Sequence, residues 1–135
     1  MTKIEAKNVR DELSKLKRLE GRTPFSSGDE LAGAFTTLSP FDSGGIFTGS
    51  YSGESAWERH TAGDELVHIL NGSAELIILT DDEAQSFNLT AGMVLVVPKG
   101  LWHRFRAPDG VTVLSATPHP TEHSTDEDPR GNQGA

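Results

Sequence analysis

Residues 55–72 read SAWERHTAGDELVHILNG, two runs with the alternation of β-strands on either side of a short TAGD turn. By that alternation Glu58 and His60 share one face, with Trp57 and Arg59 on the other. In the second run Glu65 sits with Val67 and Ile69, which turns His68 the opposite way. Strands joined by so short a turn can be antiparallel neighbours, so Glu58, His60 and Glu65 are expected side by side. Charged groups at inward strand positions are costly unless something pairs with them. A fourth group is available in the later run WHRFRA, where His103 shares a face with Phe105 and Ala107 while Trp102, Arg104 and Arg106 point away.

Working outward, short strands are expected at 33–38, 45–51, 56–60, 65–70, 73–79, 84–89, 93–98, 102–107 and 111–117. Turns are expected at SPFDSGG, TAGD, NG, TDDE, TAG, PKG and PDG. Strands at this spacing without intervening helical periods indicate an all-β sandwich or barrel. Ahead of them, Val9, Leu13, Leu16 and Leu19 lie at helical spacing in 7–20, with Asn8 as N-cap and Gly21 as stop. After Pro118 the chain has almost no apolar content. The expected division is an arm with a short α-helix (1–24), a β-domain (25–118) and a flexible acidic tail (119–135). Within that tail His119 and His123 are read as solvated despite their H-x3-H spacing, and Asp126–Asp128 as a solvated acidic run.

Two imidazoles and two carboxylates on inward strand faces are explained economically by a divalent metal, which neutralises the acids and takes the imidazole lone pairs. Hydrogen-bonded or water-exposed polar residues at the mouth of a β-fold explain them equally well. The 135 residues contain no cysteine, which excludes disulfides, thiolate catalysis and sulfur-ligated zinc. Net charge is −8: residues 1–22 carry seven basic against four acidic groups, and 23–118 carry four against twelve. So acidic a body argues against nucleic-acid binding, while the basic arm can touch an acidic partner. No apolar run approaches the roughly 20 residues of a membrane span, and no secretory signal is visible, so a cytoplasmic location is expected.

These residues also stand at the offsets of a known pattern. Gly53, His60, Glu65 and Gly72 follow G-x5-H-x-H-x3–4-E-x6-G with one residue fewer after the first glycine, and Gly92, Pro98, Gly100 and His103 match G-x5-P-x-G-x2-H-x3-N. The sequence thereby resembles the cupins. The resemblance implies a double-stranded β-helix, a jelly-roll barrel that pairs as a homodimer, with outward Trp57 and Trp102 forming either a second layer of core or a subunit contact. It also implies a divalent metal (Fe, Mn, Ni or Zn) on His60, Glu65 and His103. The chain departs from the pattern at Glu58, which replaces the first histidine, and at Ala107, which replaces the final Asn. Glu58 can ligate the ion, stand behind it as acceptor or general base, or mark a site that has lost its metal. The expected function is dioxygenase- or isomerase-like chemistry on a small organic molecule, with Phe47, Ile78 and Phe105 shaping an apolar pocket. The alternative is a non-enzymatic small-molecule-binding or sensing protein with a degenerate site.

Overall fold

The computed structural model describes residues 3–132. Helix α1 (Val9–Ser14) begins where expected, the Asn8 side chain accepting from the Asp11 amide at 3.0 Å, but it stops short of Leu19. Leu19–Arg22 is instead strand β1. A second helix, α2 (Gly28–Ala34), opens on a capping box in which Ser27 and Glu30 satisfy each other's backbone amides. No helix is expected there from the sequence, although the S-x-x-E signature is present.

The remaining strands are β2 (Phe35–Phe41), β3 (Gly44–Glu54), β4 (Trp57–His60), β5 (Glu65–Leu79), β6 (Ala84–Thr90), β7 (Val94–Val97), β8 (His103–Pro118) and β9 (Thr121–Ser124). Two of them are longer than expected. The NG at 71–72 and the PDG at 108–110 do not turn the chain but lie inside β5 and β8. Gly72 (φ +75°) and Gly110 (φ +98°) stand back to back, and a Cβ on Gly72 would lie 2.3 Å from the Gly110 carbonyl oxygen. Only glycine fits such an approach at positive φ. The β5–β8 register shifts between Gly72 and Glu75, so both strands bend there.

All nine strands among the described residues belong to one sheet. Strand β8 carries β5 along one edge, and β3 followed by β4 along the other. Strand β5 carries β7 and β6 on its far side; β3 carries β2 and β1, and β4 carries β9. The expected closed jelly-roll barrel is therefore corrected: no backbone pairing joins the β7/β6 margin to the β2/β1/β9 margin, and the sheet stays open. Its halves are held by side chains rather than by a closing ladder. The core contains Tyr51, Val67, Ile69, Leu76, Ile78, Leu89, Val97, Val111 and Val113 from β3, β5, β6, β7 and β8.

One further expectation is revised. The tail read as flexible forms strand β9 over Thr121–Ser124, which pairs residue by residue with β4, and a 3-10 turn follows at Pro129–Asn132. Trp57 and Trp102 point away from the site residues, as the alternation requires, and form a second layer of core. They are buried with Leu79, and the guanidinium groups of Arg104 and Arg59 cover their rings at 4.9 and 4.6 Å.

Candidate metal centre

Strand β4 does not neighbour β5. It lies against the start of β8, where Glu58 is directly opposite His103, and against β9, where Glu58 is opposite His123 and His60 opposite Thr121. Residues opposite one another in an antiparallel pair share a face. His103, Glu58 and His123 thus form a row across three strands. The turn 98–100 locks this end: the Gly100 amide (φ +81°) donates to the His60 carbonyl at 2.9 Å, and the Lys99 amide donates to Asp64 at 2.8 Å.

Glu65 reaches this row from the other half of the folded sheet. It is only 6% exposed, and its Oε1 lies 3.0 Å from His103 Nε2 while Oε2 lies 3.4 Å from His60 Nε2. The Thr117 hydroxyl donates to Oε2 at 2.6 Å. Because Thr117 and His103 belong to the two ends of β8, one carboxylate ties together both ends of a bent strand.

The imidazoles are oriented from behind. His103 Nδ1 donates to the Leu101 carbonyl at 3.0 Å, and His60 Nδ1 meets the Thr121 hydroxyl at 3.0 Å. Both Nε2 atoms therefore face Glu65. With acceptors at both ring nitrogens, the surroundings of His103 favour its protonated form. Burial opposes its charge, but the Glu65 carboxylate outweighs this and raises its pKa. Burial likewise works against the ionised form of Glu65, yet the His103 and His60 contacts prevail and hold it down at about 2.

Donor atoms of Glu58, His60 and His103 lie within 4.8 Å of one another, a three-residue cluster that can coordinate a divalent metal. The chemistry of the donors fits such an ion: neutral imidazole and carboxylate, with no soft sulfur. One further observation supports the fit. His60 Nε2 is buried and makes no aligned hydrogen bond, since its approach to Glu65 is close but poorly directed. A cation in place of the proton on His103 Nε2 would satisfy both rings.

Glu58 and Glu65 open onto a cavity of about 600 Å³ lined by Phe35, Phe47, Val67, Phe105 and Val113. Of the expected pocket residues, Phe47 and Phe105 line it. Ile78 does not: it is opposite His103 in the register but packs into the core. Sequence reasoning missed Arg22, Thr117 and Thr121, and it set aside His119 and His123, all of which line the cavity. The signal for the last two was present, since Thr121 and His123 alternate with Glu122 and Ser124 as a strand requires. The prolines at 118 and 120 obscured it.

Acireductone dioxygenases of two Rhodopseudomonas palustris strains, TIE-1 and ATCC BAA-98 / CGA009, are each 42% identical over 50 residues. The match covers 37% of this chain and spans only 30% of those relatives' length. A cupin-2 domain containing protein from Shewanella frigidimarina superposes with a TM-score of 0.57 at 20% identity, covering 87% of this chain and 93% of that one. A cupin superfamily protein from Desulfitobacterium hafniense superposes with a TM-score of 0.53 at 27% identity, covering 64% and 76%. The cupin domain family itself matches residues 47–126, from the middle of β3 to just beyond β9, and the chain belongs to that family.

Proposed function

We propose that this protein is a metal-dependent cupin enzyme with dioxygenase-like chemistry on a small organic molecule held in the cavity. The carrying observation is the convergence of Glu58, His60 and His103 within 4.8 Å beside an apolar cavity. In this reading His60, His103, Glu65 and Glu58 hold the ion. A bound divalent cation supplies Lewis-acid polarisation of a substrate oxygen and, for iron, electron transfer toward O₂.

The chain's own residues do the rest. Thr121 and the Leu101 carbonyl keep each imidazole aimed at the centre. Phe47, Phe105 and Val113 exclude water from the bound molecule. Glu58, the more open carboxylate with 25% side-chain exposure against 7% for Glu65, accepts a proton from the ligand. The local likeness to acireductone dioxygenases supports oxygen chemistry over isomerisation. A homodimer belongs to the same proposal, and light scattering of the purified protein checks it.

The test is elemental analysis of the purified protein, followed by aerobic turnover of acireductones, diketones, thiols and flavonols after loading with Fe²⁺, Mn²⁺ or Ni²⁺. Stoichiometric metal with oxygen consumption is expected. Failure to bind any of these ions overturns the proposal. Metal binding without turnover favours the second reading, a non-enzymatic ligand-binding protein, for which the replacement of the family's first histidine by Glu58 speaks.

A further inference from the structure

Among the described residues lining the cavity, Arg22 alone carries a permanent positive charge. It stands at the end of β1, opposite Gly53 of β3. That glycine (φ +107°) is what admits the strand, because a Cβ there would lie 2.1 Å from the Arg22 carbonyl oxygen. The Arg22 side chain is only 10% exposed. Its guanidinium lies over the Tyr51 ring at 4.6 Å and near the Phe35 ring at 5.6 Å.

These faces fix the plane of the group, and its hydrogen bond with the Tyr51 hydroxyl takes up only part of its five N–H donors. The nearest carboxylate oxygen, Glu58 Oε1, is 3.9 Å away, beyond hydrogen-bonding distance. A planar, preoriented and nearly buried guanidinium with donors to spare is built to grip an oxyanion. Phe47, Phe105, Val67 and Val113 present apolar surface in the same cavity. With a divalent ion held by two histidines and two carboxylates, the wall keeps an excess of positive charge, which draws an anion inward.

We propose that Arg22 binds the anionic group of the molecule entering this cavity, and that this molecule is a small carboxylic acid with an apolar body. The inference rests on the metal-site reading above for the location of the cavity's chemistry, but the Arg22 contact itself does not require the ion.

The experiment is isothermal titration of the protein, metal-free and Zn²⁺-loaded, with butanoate, hexanoate and benzoate and with the corresponding primary amides as neutral counterparts. The carboxylates are expected to bind about ten-fold more tightly than the amides, the worth of one charge-assisted contact. Arg22→Gln should abolish that preference while amide binding stays unchanged, and Arg22→Lys should retain part of it. Equal binding of acid and amide by the unmodified protein overturns the proposal, whether or not the variants fold. So does the absence of carboxylate binding at millimolar concentration, or a preference that survives in Arg22→Gln. A change confined to Zn²⁺ affinity would show that Arg22 serves only to balance Glu58, and would overturn it too. Zn²⁺ titration of the unmodified protein separates these results from failure of the metal site.

Discussion

The cavity is built from two kinds of strand. Strands β4 and β8 bring Glu58, His60 and His103 within 4.8 Å of one another, and β5 sets Glu65 against both imidazoles. Strands β1 and β9 come from the chain's two ends and bring Arg22, Thr121 and His123. In the first set β5 and β8 hold their residues through long ladders bent at glycines, while the four-residue β4 lies between β8 and β9. The second set is four residues long at each end and held by one neighbour apiece. The contrast separates what places donor atoms from what aims and shields them.

The sharpest way to break the comparison is to remove a donor from the first set. His103→Ala should lower divalent-metal affinity by more than about a hundred-fold, beyond the range typical for supporting groups. Titration with Zn²⁺ or Co²⁺ reads it directly. Unchanged affinity would mean the ion, if any, sits elsewhere.

Next in size is a change that detaches an end strand and leaves the donors alone. Gly53→Ala places a Cβ against the Arg22 backbone at a positive φ. It should cost roughly 2–4 kcal/mol in denaturant unfolding, as strained-backbone substitutions do. If β1 simply lifts away, stability falls less, metal affinity is kept, and proteolysis near residues 19–23 speeds up.

What could be read from residues alone divides along the same line. The offsets around the candidate donors were legible because they are tied to turn or bulge glycines whose backbone need is local: Gly72, Gly92 and Gly100 all have positive φ. The pairing partner of β4 was not legible. A short TAGD turn suggested β5, but β4 pairs with β8 and β9, a choice set by tertiary packing rather than by loop length. The jelly-roll barrel was implied by the resemblance to the cupins, and nothing local in a sequence reports whether two sheet margins meet. Leu19 fitted the helical stripe of Val9, Leu13 and Leu16, yet β1 forms there because the edge of β3 offers a ladder. Tail composition argued for disorder, yet four residues sufficed for β9 once Arg59 and Glu122 could pair at 2.7 Å beside that ladder.

A smaller effect tests how much the end strands matter to the donors. Thr121 touches His60 Nδ1 but not the metal position. Thr121→Val keeps the β-branched shape and removes the hydroxyl, and should weaken metal affinity about ten-fold. Thr121→Ser should restore most of it. Equal affinities for all three would make β9 a cover and nothing more.

The smallest expected effect is on pH dependence, and it concerns the metal-free protein, prepared with a chelator. The Glu65 carboxyl is lowered from its ordinary 4.5, so the stability it contributes is present above that value and is lost as pH falls toward about 2. His103 is raised from its ordinary 6.5, so its contribution is present below that value and is lost as pH rises through the raised one. The metal-free protein should therefore melt highest between these two ordinary values, about 2–4 °C above its melting point at pH 8. Binding of a divalent cation requires His103 to give up its Nε2 proton, so the loaded protein should lose the alkaline decline and keep only the acid one. Glu65→Gln should flatten the curve of the metal-free protein on both sides. A metal-free curve that still rises steadily toward pH 8 would show that no Glu65–imidazolium pair exists, and that the two halves of the folded sheet are joined at this point by the ion alone.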